Sequence, residues 1–147
     1  MGRCFHYRCY RLPGVHRQDD ICLGEWASVI LSILLVAAGG AVGAVLRFCM
    51  GQAVVSEQFP WATFLVNIIG SFLLAFMVFF WTDVSGEYRL LLFTGLFGAF
   101  TTMSTFTVDT VSMLFDGRTG QALLNFILNP VLCVIGAVLG RAIALAL

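Results

Sequence analysis

The chain has 147 residues, 60% of them hydrophobic and only 11% charged, and its eight basic residues, all arginine, are balanced by eight acids. A water-soluble domain averages roughly 25% charged residues, so a soluble enzyme is excluded and the solvent of this chain is lipid. The charge balance also argues against a nucleic-acid partner, which would need a basic face.

Residues 1–25 differ from the rest. They carry Arg3, Arg8, Arg11, Arg17, Asp19, Asp20 and Glu25, with Cys4, Cys9, Cys22, His6 and His16 among them. With no apolar run of its own, the segment reads as a disordered extension or as the product of an upstream start site. Its cysteines and histidines lack the paired spacing of zinc modules, so no metal site is expected there. Residues 26–147 read as one membrane domain.

Residues 26–46 hold no charge and, as a helix, reach roughly 30 Å, the thickness of a bilayer core. A first helix is predicted over about 26–55. A second uncharged run predicts a helix over about 61–82, with Trp61 and Trp81 near its ends as interfacial anchors. The third span, about 89–115, is apolar after Arg89 and turns small and polar from Thr94 to Thr110. The fourth, about 119–146, carries only Arg141 as a charge. Short connectors join them, and the fold class is an all-α, four-helix membrane protein.

Charge placement gives little orientation. Outside residues 1–25, one membrane side has Arg89 and Arg141 and the other has Arg47 and Arg118. That balance leaves the positive-inside rule almost nothing to act on and suits an antiparallel dimer; the alternative is that Arg3 to Arg17 hold the N-terminus in the cytoplasm. Gly39, Gly40 and Gly43 in the first span, and Gly136 and Gly140 in the fourth, suit close helix–helix contact.

Polar residues inside apolar spans are costly, so their pattern carries the most information. Thr63, Asn67 and Ser71 stand at i, i+4 and i+8 on the second span, and Asn125, Asn129 and Cys133 repeat that spacing on the fourth, where Pro130 interrupts the helix and frees the Phe126 carbonyl. Each stripe either holds helices together by hydrogen bonds or lines a polar path. In the third span two glycines, Gly95 and Gly98, precede Thr101, Thr102, Ser104, Thr105 and Thr107. This composition makes a poor continuous helix, and a break is predicted near Gly98–Thr102, with freed carbonyls able to hold a cation; the alternative is an intact helix whose hydroxyls bond back to the preceding turn.

The strings Gly39 to Arg47, Thr63 to Ser71 and Thr94 to Asp109 resemble the Fluc (CrcB) fluoride channels, in the family's order, over about residues 35–147. The resemblance implies a dual-topology homodimer of four-helix subunits, packed antiparallel in the bacterial inner membrane, with two fluoride pores and a broken third helix. It implies a structural, untransported sodium ion held by the backbone carbonyls of Gly98 and Thr101 from both chains. The family's pair of pore phenylalanines falls on Met103 and Phe106, three apart and so expected on one face. Asn67 matches the pore asparagine, and Ser104 and Thr105 match the hydroxyl track. Thr63 is a further donor of the right type, Asn125 and Asn129 fall where the family has Tyr and Ser or Thr, and Arg47 fits the vestibule arginine.

Asp109 matches the family's acid after the second phenylalanine; a carboxylate does not suit an anion pore, so a structural or vestibule place is expected. The implied function is passive, fluoride-selective exit from the cell, with the fluoride ion, the bilayer and a second copy of the chain as partners and no enzyme activity. Two other classes compete. A four-helix proton-coupled multidrug exporter would need an acid in its first span, where none occurs between Glu25 and Glu57. A non-transporting scaffold would leave both polar stripes idle.

Overall fold

Lipid offers no partner to a backbone amide, so a chain that crosses it must close its hydrogen bonds within helices or a sealed barrel. The computed structural model describes residues 18–147 except Glu57, with side chains from Trp26 onward, and among these residues it is all helical. In order these are α1 (Gln18–Ala53), α2 (Trp61–Phe80), α3 (Gly86–Tyr88), a π-helix (Arg89–Phe97), α4 (Gly98–Phe100), α5 (Met103–Phe115) and α6 (Thr119–Ala146). Among the described residues four stretches are long and apolar enough to cross a membrane: Trp26–Ala53, Trp61–Phe80, Gly86–Phe115 and Thr119–Ala146.

Helix α1 begins at Gln18, ahead of the start predicted at Trp26, because extending an existing helix is far cheaper than nucleating one. The rest of the expected extension, residues 1–17, and the cysteines and histidines it carries lie outside the described residues. The chain divides into one unit ending at Leu31 and another, Ser32–Leu147, which contains every candidate site residue.

Phe64, Val66, Phe97, Phe100, Phe106 and Met113 form the apolar core, but α6 is inside out by soluble standards. On α6 the buried positions are Ala122, Asn125, Asn129, Gly136, Gly140 and Ala144, recurring every three to four residues or a multiple, while Leu123, Phe126, Val134, Val138 and Leu145 point outward. Large apolar side chains gain nothing by leaving lipid, so small and polar ones take the contacts. The glycines show how close those contacts are. A Cβ on Gly140 would strike the Phe72 carbonyl oxygen of α2, and one on Gly136 would lie 3.3 Å from that of Ile68. Gly39 and Gly43 likewise sit on the Leu91 and Leu96 carbonyl oxygens of the π-helix, whereas Gly40 has nothing nearer than 3.9 Å.

Pro130 is accommodated without ending α6, contrary to the predicted interruption; a proline removes one helical bond, and the surrounding bonds hold the rest. Gly117, with φ of 77°, closes α5: its amide donates to Leu114 at 3.3 Å and that of Arg118 to Met113 at 2.9 Å, so the chain reverses in three residues into α6.

Candidate functional site

The three polar residues of α2 reach three different elements. Thr63 Oγ1 donates to Asp109 Oδ2 of α5 at 2.8 Å. Asn67 meets Thr102, and Ser71 lies within hydrogen-bonding reach of Cys133 on α6. One stripe at helical spacing thus ties α2 to the third span at two levels and to α6 at a third.

The Asn67–Thr102 contact lies between α4 and α5, where Thr101 and Thr102 are extended, with ψ of 154° and 112°. The Thr102 amide donates to Asn67 Oδ1 at 2.8 Å, and Asn67 Nδ2 donates to the Thr102 carbonyl at 3.1 Å. A continuous helix would have sent the Thr102 amide to the Gly98 carbonyl and the Thr105 amide to the Thr101 carbonyl. The first goes to Asn67 and the second to Thr102 Oγ1 at 3.2 Å. Gly98 and Thr101 are therefore among the carbonyls at this turn whose helical donors bond elsewhere.

Around this point the hydroxyls divide. Thr101 Oγ1 donates back to Phe97 at 3.0 Å and Thr107 Oγ1 to Met103 at 2.9 Å, as the intact-helix alternative would have had for all of them. Thr102, Ser104 and Thr105 instead form one cluster, with Thr102 Oγ1 3.0 Å from Thr105 Oγ1 and 3.2 Å from Ser104 Oγ. Asn67 and Thr102 are buried, while Ser104 and Thr105 are exposed.

The α6 stripe belongs to a separate network. Thr110 Oγ1 donates to the Phe106 carbonyl at 2.7 Å and accepts from Asn125 Nδ2 at 2.8 Å; Asn129 Nδ2 then reaches Asn125 Oδ1 and Cys133 Sγ reaches Asn129 Oδ1, each at 3.5 Å. Asn125 is wholly buried and Asn129 is 3% exposed. The structure buries both within the chain, bonded to protein. One turn before them, Gln121 Oε1 is buried without a partner.

Met103 and Phe106 do not share an environment: Met103 is 72% exposed and Phe106 4%. Met103 is the first residue of α5, at the turn from the extended pair, and Phe106, about 60° round the helix from it, is the one that packs inside. Arg47 is half-buried on α1, one turn beyond Gly43. Arg89 and Arg141 lie over the rings of Phe93 and Phe79, at 5.4 and 5.0 Å. Asp109 borders a cavity of about 160 Å³ that Ser56, Gln58, Phe59, Ser112 and Arg118 also line, and Arg118 spans its rim from the Gln58 carbonyl at 3.1 Å to Asp116 at 2.8 Å. No group of three or more metal-ligating His, Cys, Asp or Glu side chains occurs among the described residues.

Sequence reasoning singled out Asn67, Ser104 and Thr105 but not Thr102, which joins them, nor Thr110, which joins α5 to α6. The signal for Thr102 was its place three residues before Thr105, the spacing of a helix N-cap and the amide it accepts.

The family described as CrcB-like protein, Camphor Resistance (CrcB), matches residues 34–141. The chain is 38% identical over 119 residues to a fluoride-specific ion channel FluC of Magnetococcus marinus, covering 77% of this chain and 97% of that one. It is 41% identical over 112 residues to a protein of the same name from Sulfurovum, 74% and 89% covered, and 38% identical over 122 residues to another from Methanocaldococcus jannaschii, 81% and 98% covered.

Proposed function

The chain belongs to the CrcB-like family of multi-pass membrane proteins, and from that premise we propose that it is a fluoride-selective passive channel through which the anion leaves the cell. What carries the reading in the geometry is the cluster of neutral hydrogen-bonding groups at Asn67, Thr102, Ser104 and Thr105, set in two apolar spans. Fluoride holds its water tightly, so a pore must offer hydrogen-bond donors in exchange, and neutral donors do so without trapping the ion as a fixed cation would. Asn67 keeps one N–H beyond its bond to Thr102, and Ser104 and Thr105 face outward. Phe106 and Met103 flank them, and Arg47 draws anions toward the mouth. Asn125, Asn129 and Thr63 act one step back, as the hydrogen-bonded frame of the path.

The working unit in this reading is an antiparallel homodimer. The extended pair Thr101–Thr102 is the break of the third span, and the outward face of α5, with Met103 and Val108 at 72% and 63% exposure, meets the partner. The balance of Arg47 and Arg118 against Arg89 and Arg141 supports insertion both ways. A structural sodium ion fits this site. The carbonyls of Gly98 and Thr101 have lost their helical donors, and neutral oxygens of this kind suit a hard cation. When bound, the ion would supply a fixed positive centre joining two subunits.

Fluoride efflux from liposomes holding the purified chain, read with a fluoride electrode against a chloride control, tests the function. Rapid fluoride loss with chloride retained is expected; equal passage of both ions overturns it. Exchange of sodium for a bulky organic cation throughout purification tests the ion, with loss of the dimer or of flux expected.

A further inference from the structure

We infer that Thr102 is a positioning residue that aims the hydroxyl hydrogen of Thr105 into the anion path, with Ser104 feeding the same chain of hydroxyls. The inference rests on the fluoride-channel reading and specifies how its donors are oriented. A threonine hydroxyl has one hydrogen and two lone pairs. Thr102 Oγ1 sends its hydrogen to Thr105 Oγ1 at 3.0 Å and accepts the Thr105 amide at 3.2 Å. Its remaining contact is Ser104 Oγ at 3.2 Å, and since the Thr102 hydrogen is committed, Ser104 must be the donor there. The chain therefore runs one way, from Ser104 through Thr102 to Thr105. Among the described residues no protein acceptor takes the last hydrogen, and Thr105 stands on the exposed side of α5. Hydrogen bonds in series polarise one another, so that hydrogen is a stronger donor than an isolated hydroxyl.

Asn67 fixes the direction. By holding both the amide and the carbonyl of Thr102, it keeps that buried residue, 6% exposed, from turning away. Thr101 and Thr107, whose hydrogens are spent on Phe97 and Met103, have nothing to give. Thr102 itself touches no ion; it acts through Thr105.

The test is fluoride efflux from liposomes holding the full chain, with chloride as control. Thr102→Val keeps the shape, removes the hydroxyl and slows fluoride efflux about tenfold or more, while Thr102→Ser stays within about twofold of the unmodified protein. Thr105→Val is as slow as Thr102→Val, and Ser104→Ala is slowed clearly less, about threefold. The Thr102 hydroxyl also caps α5, so a purely structural role is separated by a double substitution. In a Thr105→Val background the amide remains, and a lost cap would slow efflux further. Positioning predicts no further loss. Should Thr102→Val not fold, the order of Thr105→Val against Ser104→Ala decides. An unmodified protein that passes no fluoride overturns the channel reading. Unmodified flux with Thr102→Val unimpaired, with Thr102→Ser as slow as Thr102→Val, with further loss in the double variant, or with Ser104→Ala the slower of the pair, overturns this inference alone.

Discussion

Asn67 and Thr102 hold one another as paired residues of neighbouring strands do, the side-chain amide of one matching the backbone of the other, at 2.8 Å and 3.1 Å. Replacing Asn67 by Leu leaves a buried amide and a buried carbonyl without partners. Such a pair costs about 3 kcal/mol in all, and the expected result is a lower unfolding temperature in detergent together with abolished fluoride flux. Asn67→Asp keeps the acceptor for the Thr102 amide but turns a carboxylate toward the Thr102 carbonyl, so it is expected to be intermediate in stability.

The glycines of α1 are not equivalent. A Cβ at Gly39 or Gly43 would overlap the Leu91 or Leu96 carbonyl oxygen, and backbone cannot step aside as a flexible side chain does. Gly39→Ala and Gly43→Ala are expected to destabilise by about 1–3 kcal/mol. Gly40→Ala, with 3.9 Å to its nearest neighbours, is expected to be neutral or stabilising by up to about 1 kcal/mol through helix propensity. Thermal unfolding of the three variants side by side checks the contrast.

Met103 is 72% exposed, so Met103→Phe should leave folding of the chain unchanged. A phenyl edge is electropositive where a thioether is only polarizable, so fluoride efflux is expected to rise severalfold with chloride still excluded. Parallel liposome assays of the two proteins read the ratio directly.

Asp109 serves Thr63 as an acceptor, and an asparagine oxygen can do the same. Asp109→Asn is therefore expected to change stability by less than about 1 kcal/mol and to leave fluoride selectivity intact. Drug resistance that depends on the Asp109 carboxylate, measured by growth on cationic antiseptics, would instead support a proton-coupled exporter.

Much of the fold was legible because its cause is local. The uncharged runs from Trp26, Trp61 and Gln121 are long enough to span a bilayer, and a backbone in lipid has few options but a helix. In the hydroxyl-rich stretch after Gly98 the Thr102 and Thr105 amides bond to side chains, since hydroxyls and amides compete for backbone donors. The partner of each polar residue was not legible. Thr63, Asn67 and Ser71 look alike at four-residue spacing, yet they meet a carboxylate, a backbone and a thiol, because helix packing brings a different neighbour to each.

The sequence by itself determined the spans and the presence of two polar stripes, consequences of hydropathy and a period of 3.6. Only the tertiary structure decided that Asn67 of α2 pairs with the backbone of Thr102, that Thr63 meets Asp109 of α5, and that Asn125 of α6 bonds to Thr110 of α5. Those outcomes depend on where the chain turns and on which carbonyl a glycine lets come close. Such distances belong to pairs of residues far apart in the chain, and no local pattern encodes them.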